Sequence, residues 1–297
     1  MKILLAIDTS SAGQTTVERV VAAMWPGDSA FEVVSVVEPS PLWSTSEVAQ
    51  EAARQAEEVV ERAVKKLGSV QKTVAGQVLY GDPKTVILDR AQSRNTDLIV
   101  VGSHGVSDVA RFLLGSVSVA VLRYAPCSVE VVRASRPDRG AAWRILLATD
   151  GSESSDAAAR FIAQRPWPAG TEVRVLSAVE VILPPSRALV EVPFLDSEFL
   201  ESARAEAMQR SQDAIAGARQ MLSGTGVEVS ESISVLLDTP KSIILNEAVS
   251  WKADLIVLGS HGRRGVDRFL MGSVSEAVAM HADCSVAVVR AADTSTR

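Results

Sequence analysis

The sequence predicts an α/β protein built from two tandem, doubly wound parallel sheets of five strands each, related by a pseudo-twofold axis. Three observations support this fold class. The chain has 297 residues, more than the roughly 100–200 of a usual single domain. A long segment occurs twice. Short apolar runs alternate with helical patterns, as a parallel sheet with crossover helices requires.

The repeat is clearest near the end of each copy. Residues 97–133 and 254–290 align without a gap, and 25 of these 37 positions are identical at an offset of 259 − 102 = 157. Such self-similarity indicates a duplicated structural unit. Both copies descend from one ancestor, so the recurrence counts as less than two independent observations.

The offset is smaller near the start of each copy. Asp8 aligns with Asp150 at 142, so the second copy holds 157 − 142 = 15 additional residues. We place them at Val181–Asp196, where two adjacent prolines exclude a continuous helix. The residues ASRPDRGAA at 134–142 have the composition of a linker. We therefore predict domains at 1–134 and 143–293.

The first copy gives the element order. KILLAID at residues 2–8 is a continuous apolar run ending in an acid, typical of a strand buried on both faces. Pro83 suits the first turn of a helix, because its missing N–H has no acceptor there in any case. The other predicted elements are helix Thr15–Trp25, strand Glu32–Glu38, helix Ser46–Lys66, strand Val74–Tyr80, helix Pro83–Ser93, strand Asp97–Val101, helix Ser116–Tyr124 and strand Ser128–Arg133.

Polar sites follow the first and fourth strands. Doubly wound sheets bind ligands outside the carboxyl ends of their strands, where the strand order reverses. With the order 3-2-1-4-5, Asp8 and Gly102 would face one ligand. We also expect strands Ser128–Arg133 and Ser285–Arg290 to join the two copies, since each is an apolar edge strand.

A glycine loop follows the fourth strand of each copy with the spacing Gly-x2-Gly-x9-Gly-Ser. We expect the first glycine to permit a sharp turn and the second to permit positive φ. The third precedes a helix whose free N–H groups form an anion site. The alternative is that the glycines only make turns and the serines only cap helices. Neither GxxxxGK[ST] nor GxGxxG is present. The positions are Gly102, Gly105, Gly115 and Ser116, and Gly259, Gly262, Gly272 and Ser273.

These residues resemble the universal stress protein family in tandem form, over essentially the whole chain. The resemblance lies in ILLAIDTS and ILLATDGS, in VGSHG…LLGSVS and LGSHG…LMGSVS, and in the closing CSV strands. It is closest to the ATP-binding branch. It implies a Rossmann-like sheet, ATP bound by the glycine loop, a stress-response role that is regulatory, and dimeric association through the last strands.

The resemblance also implies roles for individual residues. Asp8 and Asp150 would face the ribose or bind Mg²⁺. The backbones near Ala6, Val36, Ala148 and Ala178 would edge the base. The remaining residues would hold phosphates: Gly102, His104, Gly105, Gly115, Ser116 and Ser118 in the first copy, and Gly259, His261, Gly262, Gly272, Ser273 and Ser275 in the second.

Several of these residues admit another interpretation. The aspartates could cap helices or end strands in solvent. His104 and His261 could act as general bases, although no carboxylate near in sequence is obviously placed to orient them. Arg111 and Arg268 could pack over the loop or contact phosphate. Cys127 and Cys284 are interpreted as small buried residues in strands, because no metal or redox spacing exists.

Composition narrows the function. A net charge of −6 without a basic run argues against nucleic-acid binding. No apolar run reaches the roughly 20 residues of a membrane span, and we expect a cytoplasmic protein. Three hypotheses remain: an ATP-binding regulator, a slow Mg²⁺-dependent ATPase or phosphotransferase, and a nucleotide-free scaffold that the intact glycines disfavour. We expect a homo-oligomer, a dimer of tandem chains, and an unknown regulatory protein partner.

Overall fold

The computed structural model describes residues 1–39, 46–104, 114–133, 141–180, 197–236, 239–263 and 271–291. Strands and helices alternate through these ranges. The first copy holds β1 (Lys2–Ala6), α1 (Ser11–Ala22), β2 (Ala30–Val37), α2 (Ser46–Gly68), β3 (Thr73–Tyr80), α3 (Pro83–Arg94), β4 (Leu98–Gly102), α4 (Ser116–Tyr124) and β5 (Ser128–Val132). The second holds β6 (Arg144–Ala148), α5 (Glu153–Ala163), β7 (Glu172–Glu180), α6 (Ser197–Leu222), β8 (Glu228–Leu236), α7 (Pro240–Ser250), β9 (Leu255–Gly259), α8 (Ser273–His281) and β10 (Ser285–Val289).

The ten strands form one continuous sheet in the order β3-β2-β1-β4-β5-β10-β9-β6-β7-β8. Each half has the predicted order 3-2-1-4-5, and its strands pair in parallel. The halves meet where β5 and β10 pair antiparallel. The predicted seam between the copies is therefore confirmed, and the two halves share a single sheet.

Consecutive side chains of the central strands enter different cores. In β1, Ile3 and Leu5 pack into one hydrophobic cluster, whereas Leu4 and Ala6 pack into the other. Helices α1, α2, α5 and α6 supply residues to the first cluster, and α3, α4, α7 and α8 to the second. A strand covered on both faces needs apolar residues at every position, which explains why KILLA lacks alternation.

The helix boundaries predicted for the first copy agree to within two residues except in α1. Its predicted span of Thr15–Trp25 is wrong at both ends, because Ser10 is the N-cap and accepts a hydrogen bond from the Gly13 N–H. The Trp25 indole N–H donates to the carbonyl of Val20 at 2.8 Å, so this residue folds back beyond the helix end. In α3, Pro83 occupies the first turn and Asp82 caps it. Helix α4 has the predicted bounds.

Two arginines fasten the seam. Arg133 follows β5 and donates to the carbonyls of Ala279 and Met280 at the end of α8, both at 2.7 Å. Arg290 follows β10 and donates to the carbonyls of Leu122 and Arg123 at the end of α4. Each copy thus supplies a cation to the negative end of a helix in the other copy.

Cys127 and Cys284 directly precede β5 and β10 and do not lie within them as expected. Burial raises the pKa of each thiol to about 12. The segment Val181–Asp196, in which we placed the 15 additional residues, and most of the linker, residues 134–140, lie outside the described residues. Within the described ranges, no helix is both long and apolar enough to cross a bilayer.

Candidate functional site

The candidate site of each copy lies at the carboxyl ends of the two strands beside the switch in strand order. Strand β1 pairs with β4 and brings Ala6 beside Val101; β6 pairs with β9 and brings Ala148 beside Leu258. The aspartate after each first strand and the glycine loop after each fourth strand therefore emerge side by side. This is the arrangement expected from the strand order.

The first glycine of each loop is required by close packing. A Cβ on Gly102 would lie 3.0 Å from Thr16 Oγ1 and 3.3 Å from the Ala12 carbonyl oxygen. On Gly259 it would lie 2.6 Å from the Ser154 carbonyl carbon. Neither glycine adopts positive φ. The glycines let the first turns of α1 and α5 rest directly on the strand ends.

The second glycine of the loop is also explained by the close approach of another residue. Gly262 was expected to need positive φ, but its backbone is not left-handed. A Cβ there would lie 2.8 Å from Asp150 Oδ2, so the reason for glycine is the approach of the aspartate. Its counterpart Gly105 lies outside the described residues.

The third glycine of each loop is the N-cap of a helix. Gly115 precedes α4 and Gly272 precedes α8, and a glycine has no side chain to satisfy the first helical N–H groups. Ser116 and Ser273 are the first helical residues. The alternative that these two serines are helix caps is therefore wrong.

Two polar contacts tie each of these helices to its strand. The Ser118 hydroxyl donates to the Gly102 carbonyl at 2.7 Å, and Ser275 donates to Gly259 at the same distance. The N–H groups of Gly115 and Gly272 donate to the carbonyls of Ser103 and Ser260, both at 2.8 Å. Both ends of each glycine loop are thereby fixed. Ser118 and Ser275 were expected to hold phosphate. In this structure their hydroxyls bind the carbonyl of the first loop glycine.

Ser103 and Ser260 were not among the residues expected from the sequence, yet each makes three contacts. Besides the carbonyl contacts above, their N–H groups donate to Val132 and Val289 on the neighbouring last strands at 2.8 Å. Their hydroxyls are hydrogen-bonded to Nδ1 of the following histidines, at 2.8 Å to His104 and 2.9 Å to His261. The recurring dipeptide Ser-His after each fourth strand was the available signal.

Each aspartate supports the cap of the helix that follows it. Asp8 accepts hydrogen bonds from the N–H and hydroxyl of Ser10, the residue that caps α1. Asp150 accepts from the N–H of Ser152, the cap of α5, at 3.0 Å. It also accepts from the Arg263 N–H in the glycine loop at 3.0 Å. Support of a helix cap is thus part of both roles, and Asp150 also contacts its glycine loop. Val106, the counterpart of Arg263 in the first copy, lies outside the described residues.

The four residues expected to edge a base lie on one face of the sheet. Ala6 is buried in the core beneath α3 and α4, and Val36 packs against that core. Ala148 and Ala178 pack beneath α7 and α8 in the same way. Arg111 and Arg268 lie outside the described residues.

Carboxylates are sparse at the site. Among the described residues there is no group of three or more histidine, cysteine, aspartate or glutamate side chains able to hold a metal ion by themselves. A cavity of about 360 Å³ opens beside Ser103 and His104 in the first copy. Its wall also includes the first turn of α1 and residues 281–283 of the second copy.

Comparison with known proteins identifies the family. A family model described as the universal stress protein family matches residues 1–133 and again residues 143–290. The chain belongs to the universal stress protein family. A universal stress protein of Mycobacterium tuberculosis is 32% identical over 263 residues, which cover 85% of this chain and 82% of that relative. Tandem universal stress domains therefore account for nearly the whole chain.

Other universal stress proteins resemble one copy or the fold. A putative member from Staphylococcus aureus is 34% identical over 139 residues, covering 44% of this chain and 82% of its own length. The crystal structure of a member from Archaeoglobus fulgidus has a TM-score of 0.65 and 23% identity, with 98% of this chain and 97% of that chain covered. At that identity the likeness supports the fold.

Proposed function

We propose that this universal stress protein is an ATP-binding regulatory module that holds one nucleotide in each copy. The glycine loops supply the phosphate sites. The protein acts through its nucleotide state, by changing a surface or an assembly, and has no fast metabolic reaction of its own.

The observation that carries the proposal is the pair of glycine-capped helices at the switch points of the sheet. Helices α4 and α8 begin at Gly115 and Gly272, which leave the N–H groups of the first turn without a side-chain acceptor. Such N–H groups, reinforced by the helix dipole, favour a phosphate. Ser116 and Ser273 add hydroxyl donors at the first helical position. His104 and His261 would border the same anion from the strand end.

The support beneath the loop favours a preformed site. Contacts from Ser118 and Ser275 fix the helices to the strands before any ligand arrives. A binding site that needs little reorganisation loses less free energy on binding. The glycines Gly102 and Gly259 belong to this support, because they let a helix approach the strand end.

The aspartates suit Mg²⁺ bound together with phosphate. Magnesium usually takes one or two carboxylates, substrate phosphates and several waters, so it does not need a cluster of protein ligands. Asp8 and Asp150 would each supply that one carboxylate. The backbone near Ala6 and Val36 in the first copy, and near Ala148 and Ala178 in the second, would edge the adenine base.

The competing enzyme hypothesis is a slow Mg²⁺-dependent ATPase or phosphotransferase. Phosphoryl transfer requires mainly positioning and charge stabilisation, so a binding loop is chemically close to a hydrolase. Nδ1 of each loop histidine is hydrogen-bonded to the hydroxyl of the preceding serine. We therefore expect turnover to be slow relative to nucleotide exchange.

The test replaces the capping glycines with valine, singly and together. Gly115 and Gly272 have φ, ψ of −62°, 153° and −69°, 144°, which valine adopts readily. The added side chain would block approach to the helix N-terminus. We expect each single variant to lose one site, with affinity there reduced about tenfold or more, equivalent to 1.4 kcal/mol. The double variant should lose both sites in calorimetric titration.

A matched control is Gly27→Val, since a Cβ at Gly27 meets nothing within 4 Å. It should bind ATP as the parent chain does. Identification of any small molecule that copurifies with the chain distinguishes a nucleotide-binding protein from a scaffold. Phosphate release per bound ATP distinguishes a regulator from an enzyme. Unchanged ATP affinity in a folded double variant would refute the assignment of the loops.

A further inference from the structure

Three charged side chains are buried together at the centre of the seam between the copies. Glu130 lies in β5, Arg19 in α1 and Arg165 just after α5, and all three side chains are at most 2% exposed. Arg19 Nη2 lies 3.1 Å from Glu130 Oε1, and Arg165 Nη1 lies 3.2 Å from Oε2. We name this group the seam triad. It carries two positive charges and one negative charge.

Tryptophans cover the arginines in a crossed pattern. Arg19 of the first copy lies 3.7 Å from the ring centroid of Trp143 in the second. Arg165 of the second copy lies 4.0 Å from Trp25 in the first, and 4.7 Å from Trp167 in its own copy. Such stacking stabilises a desolvated guanidinium. Each arginine therefore depends on a tryptophan from the other copy as well as on the shared carboxylate.

The local twofold axis passes between Glu130 and Ala287. Strand β5 pairs with β10 as Val131↔Val286, Glu130↔Ala287 and Val129↔Val288. Since 130 + 157 = 287, Glu130 faces its own counterpart in the repeat, and directly opposed residues point to the same face of the sheet. The seam triad is nevertheless asymmetric. One copy supplies glutamate at this position and the other supplies alanine.

The asymmetry makes two identical copies poor partners. Two second copies would bury two Arg165 side chains around the axis with alanine on both sides and no carboxylate. Two first copies would place Glu130 directly against Glu130. They would also lose the tryptophan that stacks on Arg19, because the first copy has Met1 at the position that aligns with Trp143 at the offset of 142. An uncompensated buried charge costs several kcal/mol, which strongly disfavours the pairing of two second copies. In a pair of first copies two arginines would balance two glutamates, so that pairing is disfavoured by the direct contact of the two carboxylates and by the loss of Trp143 over Arg19.

We propose that the seam triad is a pairing code: it makes the β5 surface of the first copy fit the β10 surface of a second copy and reject a copy of its own kind. The partner that this surface selects is the complementary half of the same protein. Neither the family fold nor nucleotide binding requires this selectivity.

The linker allows that partner to be in the same chain. The end of β5 and the start of β6 are separated by β10 and β9 in the sheet. These three steps of about 4.8 Å each amount to roughly 15 Å. The linker residues 134–142 can extend roughly 30 Å at about 3.3 Å per residue. Tethering then raises the effective concentration of the correct partner over that of other chains.

The first experiment tests whether the carboxylate acts from the axis. Thermal unfolding of the full chain is measured for Glu130→Ala, for the volume-matched Glu130→Gln, and for the double variant Glu130→Ala with Ala287→Glu. The two single variants should melt on the order of 10 °C lower, because they remove the carboxylate that contacts both buried arginines. The double variant should recover most of that loss. No recovery would overturn the axis argument, and the comparison stands even if Glu130→Ala does not fold.

The second experiment tests selectivity by means of position 287, which faces itself only when two second copies pair. Ala287→Cys is introduced into the chain carrying Cys127→Ala and Cys284→Ala, with the seam triad intact or replaced by methionine at positions 19, 130 and 165. Both proteins are refolded at high chain concentration under oxidising conditions. Disulfides require Cα atoms about 4.4–6.8 Å apart, which directly opposed strand positions provide.

The chain with the intact triad should remain uncrosslinked on a non-reducing gel, since its introduced thiol faces Glu130. The methionine chain should give covalent dimers through position 287, at several-fold higher yield. Equal yields from the two proteins would show that the seam triad does not select the partner.

Discussion

The two copies share the framework of the glycine loop and the contact of an aspartate with a helix cap, but the loops carry different charges. In both, the hydroxyl of a serine on the first helical turn donates to the carbonyl of the first loop glycine. The N–H of the capping glycine donates to the carbonyl of the serine that follows the strand. Asp8 contacts the cap of α1. Asp150 contacts the cap of α5 and also the Arg263 N–H of its loop. Duplication thus preserved the backbone frame and the support of a helix cap by an aspartate.

The tightness of packing behind the loop also differs between the copies. The helix contact of Gly259 is with the backbone of Ser154, whereas the nearest atom to a Cβ at Gly102 is the hydroxyl oxygen of Thr16. The approach at Gly259 is also closer, 2.6 Å against 3.0 Å at Gly102, and a helix backbone moves only with the helix. The second copy therefore tolerates less change at its first glycine.

Alanine at these two glycines should give the largest difference between the copies. We expect Gly259→Ala to destabilise its copy by about 2–3 kcal/mol and Gly102→Ala by about 1 kcal/mol, within the usual cost of overpacking. Thermal unfolding of the two variants provides the measurement. Equal shifts in the unfolding midpoint would mean that α5 moves away from residue 259 as easily as α1 moves away from residue 102.

Removal of Asp150 should have the next largest effect, on the glycine loop of the second copy. In Asp150→Ala the Arg263 N–H loses a charged acceptor, a contact worth about 1.5–3 kcal/mol. Amide hydrogen exchange of the segment containing Arg263 should accelerate about tenfold or more. Asp8→Ala is the matched control and should leave that segment unchanged while α1 frays at its start. Unaltered exchange in Asp150→Ala would show that other contacts hold the loop.

The smallest expected difference concerns loop charge. If each copy binds ATP as proposed, the second should bind at least as tightly at low salt, because Arg263-Arg264-Gly265 replaces Val106-Ser107-Asp108. Arg263→Ala should weaken the second site a few-fold at low salt, and Val106→Arg should strengthen the first. Exposed charges contribute little once the Debye length falls to roughly 10 Å at 0.1 M salt, so both effects should shrink.

Calorimetry at two salt concentrations, with the other site blocked by its capping-glycine variant, measures these affinities separately. Tighter binding at the first copy in low salt, or one nucleotide per intact chain, would contradict the role given to loop charge.

Part of the site could be expected from the sequence for a simple reason. Strand order places the ends of the first and fourth strands side by side, so Asp8 and Gly102 had to emerge together once the order 3-2-1-4-5 was inferred. The roles of the glycines could not be derived in the same way. Gly102, Gly259 and Gly262 were expected to serve turns, but they are glycine because α1, α5 and Asp150 approach them closely. Such approaches arise between elements far apart in sequence.

The sequence by itself determined the duplication, the helix and strand order and the use of β5 and β10 as the seam, because apolar periodicity and repetition are local properties of the chain. Only the tertiary structure brought Arg19, Glu130 and Arg165 together, since a buried ion group has no spacing rule along the chain. In the sequence, Glu130 and Ala287 are one substitution between two copies of a strand. In the folded protein they face each other across the axis, where a single carboxylate serves two arginines.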